Sequence, residues 1–215
     1  MMNDWDGERF IAALVDGDHV GALAEAERLQ AAGVPPERLV TEGLETAMQR
    51  VDDKCTVDSF NLLEVMLVGR AVSVVADTLY PQGVPADRSK ATVVLATPEG
   101  DIHDLGKNIV RMVLLGKGYR VVDLGRDCPV ARLVDGARAE QAQAVLISGL
   151  LTTVIHRVRE VRTTLRAHGL TAVKVVAGGA ALKQASAAEL DVDYVAQTAF
   201  DGAHYLEALA AGAGA

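Results

Sequence analysis

The chain has 215 residues, half of them apolar, 23% charged and only 4% aromatic, with a formal net charge of −8. An acidic balance argues against nucleic acid, whose phosphates need basic surface to release counterions, and few rings argue against stacking platforms for single strands. No apolar run reaches the roughly 18 residues that span a bilayer. The start, Met1-Met2-Asn3-Asp4-Trp5-Asp6, is acidic where a secretory signal would be basic. A folded cytoplasmic protein with no membrane and no nucleic-acid partner is expected. Cys55 and Cys128 form no CxxC pair and are read as free packing thiols, because disulfides are rare in that compartment.

Up to residue 80 the apolar positions recur at helical spacing. Phe10, Ile11, Leu14 and Val15 make a first stripe ending at Gly17, and Asp18 is placed to cap a second helix that Gly33 stops. Pro35-Pro36 opens a third, through Leu39, Leu44, Met48 and Val51, because proline is tolerated in a first turn. Asp58 or Ser59 starts a fourth, apolar through Leu62, Leu63, Val65, Met66 and Leu67 to Leu79. This is the pattern of a four-helix bundle over 1–80. The Pro-, Gly- and charge-rich residues 81–91 then read as a linker.

From Thr92 onward, short β-branched runs alternate with helical ones. Strands are predicted at Thr92–Thr97, Tyr119–Leu124, Ala144–Ser148, Val173–Ala177 and Tyr194–Ala196. Helices are predicted near Leu105–Leu115, Val130–Ala139, Val154–His168, Leu182–Leu190 and Phe200–Ala210. The fold class is therefore α/β over 92–215, a flavodoxin-like or Rossmann-like five-stranded parallel sheet with helices on both faces, most simply in the order 2-1-3-4-5. That order opens a crevice where the first and third strands diverge. The loops holding Glu99 to Gly106 and Ser148 to Thr153 should face one ligand, with Gly178-Gly179 ending the fourth strand beside them.

Several ligands fail against these loops. A phosphate-binding P-loop needs four residues between its first Gly and Gly-Lys, then Ser or Thr. Here five separate Gly100 from Gly106-Lys107, and Asn108 follows. The dinucleotide fingerprint is missing, and a phospho-accepting Asp at the third strand's end is replaced by Ser148. His103 remains. An isolated histidine beside acids is most often a solvated loop residue or a helix cap, but Asp101 is placed to hydrogen-bond one ring nitrogen and leave the other as a metal ligand. One imidazole cannot hold bare zinc. A metal that brings its own equatorial ligands needs only one.

Asp101-x-His103-x-x-Gly106 resembles the Asp-x-His-x-x-Gly signature of cobalamin-binding domains. The stretch Glu99 to Val110 is similar to the form in methionine synthase and small corrinoid methyl carriers. Ser148-Gly149-Leu150-Leu151-Thr152-Thr153 resembles the second family motif and Gly178-Gly179-Ala180 the third. The resemblance implies cobalamin bound base-off, with His103 as the lower axial ligand of cobalt and Asp101 as its tuner. It implies that Ser148, Leu150 and Thr152 meet the displaced base and its linker, and that Gly178 and Gly179 leave room for the nucleotide tail. Asp104 and Gly106 complete the loop, and Met66 lies on the likeliest contact helix of a helical cap. It further implies a non-catalytic methyl carrier, cycling between methylcobalamin and cob(I)alamin, partnered by a substrate-specific methyltransferase, an acceptor methyltransferase for a pterin or thiol, and a reductive activase.

Two positions depart from the family pattern. A hydroxyl extends the His-Asp relay in methionine synthase and commonly in small carriers, where this chain has Val154, with Thr153 the nearest substitute. Asp52 and Cys55 stand where carriers typically place Gly and Phe. A rival function is a cobalamin-dependent sensor or light-responsive regulator. Such proteins carry a Trp and a Glu-His pair in the cap and often a DNA-binding module, whereas Trp5 precedes the first helix here and neither other feature occurs. His19, His156, His168 and His204 are read as solvated or capping. Arg157, Arg159, Arg162 and Arg166 are read as a solvated helix face, and Asp104 and Lys107 as placed for surface pairing or partner contact.

Overall fold

A computed structural model describes residues 6–54 and 61–212. The helical elements are α1 (Glu8–Val15), α2 (His19–Ala31), α3 (Pro36–Arg38), a π-helical segment Leu39–Leu44, α4 (Glu45–Asp52) and α5 (Leu62–Leu79). The sheet region follows as β1 (Thr92–Ala96), α6 (Leu105–Gly116), β2 (Arg120–Asp123), α7 (Val130–Ala139), β3 (Ala144–Ser148), α8 (Ile155–Ala167), β4 (Lys174–Gly178), α9 (Ala187–Leu190), β5 (Tyr194–Ala196) and α10 (Ala199–Gly212). Among the described residues two compact units result, one of those up to Lys90 with 112–120 and the other of 91–111 with those from Val121 onward.

In the first unit the local signals act as expected. Asp18 Oδ1 accepts the Gly21 N–H at 2.9 Å, satisfying a donor that the first turn of α2 leaves unpaired. Asn61 caps α5 by accepting from Glu64 N at 3.2 Å. Asp58, Ser59, Trp5 and Cys55 lie outside the described residues. Phe10, Leu14, Leu39, Leu44, Met48 and Val72 are fully buried and form the bundle core. Asp52 is buried too, and Lys117 pairs with it at 3.1 Å. Residues 81–90 are packed rather than extended: Val84 is buried, its carbonyl accepts from Arg120 at 3.1 Å, and Lys90 N donates to Gly118 O at 3.0 Å.

The second unit carries the sheet in the order β2-β1-β3-β4-β5, as the alternation predicts. β1 pairs with β3, β3 with β4 and β4 with β5, all parallel. Every residue of β1 and β3 is buried, the mark of a sheet covered on both faces. One helix differs from the sequence reading: Leu182–Leu190 divides into a 3-10 turn, Leu182–Gln184, and α9. Ser186 causes the break, since its Oγ accepts from Glu189 N at 3.2 Å while Glu189 Oε2 accepts from Ser186 N at 2.8 Å, a reciprocal capping box. Of the arginines of α8, Arg159 and Arg166 are exposed as expected, whereas Arg162 is largely covered. Arg162 donates to Asp193 at 2.5 Å, Arg159 to the Glu189 carbonyl at 2.5 Å, and Arg157 pairs with Glu99 at 3.2 Å.

Candidate functional site

β1 and β3 are neighbours whose chains leave in opposite directions, so their carboxyl ends border the crevice of the sheet. The two loops that leave them are tied together by one side chain. Asp101 is fully buried, and its Oδ2 accepts the N–H groups of Leu150 at 2.6 Å and Leu151 at 3.2 Å. Its Oδ1 accepts the His103 N–H at 2.9 Å and meets His103 Nδ1 at 2.7 Å. Burial pushes the Asp101 carboxyl up, but the hydrogen bonds from His103, Leu150 and Leu151 outweigh it and hold the group below its ordinary value.

A carboxylate only accepts, so the 2.7 Å contact puts the imidazole proton on Nδ1. In the neutral ring the lone pair is then on Nε2, and the His103 side chain is 48% exposed. Thr97 Oγ1 donates to the His103 carbonyl at 3.4 Å. The site thus presents one oriented nitrogen donor, held by a buried anion, on a loop shaped by its neighbours. Ile102, Leu105 and Leu150 on the same loops expose apolar side chains.

Three glycines set how closely the loops approach. A Cβ at Gly106, in the first turn of α6, would lie 2.9 Å from Ser148 Oγ. Gly179 has φ +96, and its Cβ would lie 2.5 Å from the Gly149 carbonyl oxygen and 2.9 Å from its nitrogen. Gly178 is register partner to Ser148, and its carbonyl accepts from Gly149 N at 3.0 Å. Ser148 is buried, Thr152 is exposed at the head of a 3-10 turn, and Asp104 is half-buried just before α6. Met66 is part-exposed on α5 in the helical unit.

Val154 is buried in the core cluster that also holds Leu182 and Val158, and its side chain carries no hydroxyl. Thr153 is exposed, and its carbonyl accepts from His156 Nδ1 at 2.8 Å. Lys107 is buried rather than surface-facing, paired with Asp123 and donating to Asn108 Oδ1 at 2.7 Å. Sequence reasoning missed Asp123 and Asp127, which sit at the end of β2 and four residues beyond it. Their only local signal is the short polar run Asp123 to Cys128 with one glycine.

This fold, with these loops, is that of a protein that seats a large ligand against the carboxyl edge of its sheet. Residues 91–210 match the model of the B12 binding domain, and residues 7–80 match a second model of the same description. The chain belongs to the B12-binding family and binds cobalamin. It is 33% identical to trimethylamine corrinoid protein 1 of Methanosarcina acetivorans over 88% of this chain and 89% of that one. To dimethylamine corrinoid protein 3 of the same organism it is 35% identical, over 82% and 84%. Among solved structures it resembles the methanol:cobalamin methyltransferase complex MtaBC of Methanosarcina barkeri, with TM-score 0.80 and 27% identity over 95% of this chain and 79% of that one. A cobalamin-binding protein of Desulfitobacterium hafniense DCB-2 gives TM-score 0.70 and 27% identity, over 92% and 95%.

The residues present fit the cofactor. No group of three or more His, Cys, Asp or Glu that could hold a metal occurs among the described residues, and a metal with its own equatorial ligands asks for a single donor such as His103. Gly106 keeps the first turn of α6 bare beside Ser148 Oγ, which a Cβ there would meet at 2.9 Å.

Proposed function

We propose that this chain is a methyl carrier that binds cobalamin base-off with His103 as the lower axial ligand and passes methyl groups between two methyltransferases. The observation that carries the reading is the buried Asp101 carboxylate, shared between His103 Nδ1 and the backbone of the Ser148 loop. Bound cobalamin supplies a cobalt centre that takes up and gives away a methyl group. The chain's own residues hold and tune that centre.

Asp101 fixes the ring tautomer and orientation and increases the basicity of Nε2, as a carboxylate behind a ligating histidine does. Asp104 and Gly106 shape the loop. Ser148, Leu150 and Thr152 meet the displaced nucleotide base, and the absence of side chains at Gly178 and Gly179 makes room for its tail. Met66 contributes to a helical surface that excludes water from the reactive face. Val154 offers no proton, so release of His103 is not coupled to a relay hydroxyl at that position. The donor-side partner is a substrate-specific methyltransferase, for which the methylamine-named relatives supply the first candidates. The acceptor-side partner is a pterin- or thiol-dependent methyltransferase, a reductive activase restores oxidised cofactor, and the exchange takes place in the cytoplasm.

The test is single-turnover methylation. Purified holoprotein reduced to cob(I)alamin is mixed with trimethylamine or dimethylamine methyltransferase and the matching amine, and the absorption spectrum is followed. Conversion to the methylated spectrum is expected. A holoprotein that stays reduced with each methylamine and methanol methyltransferase would end the carrier reading.

A further inference from the structure

The run Gly125 to Cys128 after β2 is bonded to the segment that leads from β1 into the His103 loop. Thr97 N donates to Gly125 O at 3.0 Å, Cys128 N to Thr97 O at 3.0 Å and Glu99 N to Cys128 O at 2.9 Å. These bonds continue the parallel pairing past the strand ends, through the Pro98 to Cys128 bridge. Asp127 then closes on the residue that matters. Its Oδ1 accepts the Gly100 N–H at 2.8 Å, and its own N–H donates to the Asp101 carbonyl at 3.0 Å. Asp101 is therefore gripped by its backbone on both sides while its carboxylate grips His103.

Asp127 makes these two bonds from a left-handed backbone, φ 52. Such a conformation in a residue with a side chain persists where the surroundings enforce it, and Asp and Asn tolerate it better than most. A second anchor leads to the same place. Buried Lys107 pairs with Asp123, whose Oδ1 accepts from Gly125 N at 2.8 Å, and Gly125 is the residue that accepts from Thr97.

We infer that Asp127 is a positioning residue for the cobalt ligand: it fixes the Gly100-Asp101 backbone and so the Asp101 carboxylate that aims His103. The inference rests on His103 being the ligand. It acts through the Gly100-Asp101 backbone.

Two substitutions separate the bond from the backbone strain. Asp127→Gly removes the acceptor and suits a positive φ, whereas Asp127→Asn keeps an acceptor oxygen and the same tolerance. Each protein is reconstituted with hydroxocobalamin, its affinity measured, and the histidine nitrogen splitting recorded by electron paramagnetic resonance after reduction to the cob(II) form. Thermal melting of the apoprotein identifies any variant that has not folded. Asp127→Gly should weaken binding by roughly tenfold, in the range seen for partners of metal-ligating histidines, and diminish the splitting. Asp127→Asn should restore both. A folded Asp127→Gly protein with native affinity and splitting overturns the inference, as does a folded Asp127→Asn protein that fails equally. If native protein itself shows no histidine splitting, the ligand reading falls and this inference falls with it.

Discussion

Replacing Gly179 with alanine tests whether the loop geometry of the site is built on backbone contact. Gly179 sits at φ +96, where a side chain costs roughly 1–2 kcal/mol. The new Cβ would stand 2.5 Å from the Gly149 oxygen, and neither partner is a flexible side chain. Reaching ordinary contact needs a shift of about 1 Å, and forced displacement in a packed region adds roughly 1–3 kcal/mol. The sum is about 2–5 kcal/mol. Gly149 is also the link to the site, since it donates to Gly178 O, accepts from Ala181 N and precedes Leu150, whose N–H binds Asp101. The assay is calorimetric melting of the apoprotein together with hydroxocobalamin titration. Gly169→Ala is the control, with φ +77 and nothing within 4 Å of its Cβ. Gly179→Ala should lower the melting temperature by on the order of 10 °C and weaken cofactor binding, while Gly169→Ala shows the strain alone. Equal shifts for the two variants would refute the contact argument.

Three further outcomes rest on the same packing. Lys107→Met removes the buried partner of Asp123, whose carboxylate stays part-exposed to water, and a destabilisation of about 1–2 kcal/mol is expected from chemical denaturation; a change under 0.5 kcal/mol would mean that the pair is not a structural anchor. Val154→Thr places a hydroxyl among core residues, and a loss of about 1–3 kcal/mol is expected; a rise in melting temperature would show that Val154 is not optimal packing. The Asp193 carboxyl is pushed up by burial, but the Val175 N–H together with Arg162 and Lys174 outweighs this and holds it below its ordinary 3.8. Its stabilisation is present above that value and lost as pH falls through the lower folded value. Native protein should therefore exceed Asp193→Asn in stability at neutral pH, with the gap closing below pH 3.8; a gap constant down to acid unfolding would contradict the assignment.

The strands were legible because a parallel sheet covered on both faces demands unbroken apolar β-branched runs, as in Val93-Val94-Leu95 and Val145-Leu146-Ile147. The His103 loop was legible because its motif is local. What could not be read were partners supplied from distant parts of the chain. Lys107 looks like a surface residue until Asp123 is brought to it, and Arg162 looks solvated until the turn at Asp191 to Asp193 folds against it. Asp127 carries no periodicity at all, since its place depends on a left-handed backbone and on a loop 27 residues away in sequence. The break at Ser186 was available in the sequence as Ser-Ala-Ala-Glu, but the apolar pattern on either side of it masked the capping box.

The most direct test of the central claim labels the protein's histidines with nitrogen-15 and leaves the added cobalamin unlabelled. With one axial nitrogen on the cob(II) form, the electron paramagnetic resonance splitting is a triplet for nitrogen-14 and a doublet for nitrogen-15. The expected result is a triplet that becomes a doublet on labelling and disappears in His103→Ala. A triplet unaffected by the label would show that the cofactor keeps its own base, and would contradict His103 as the ligand.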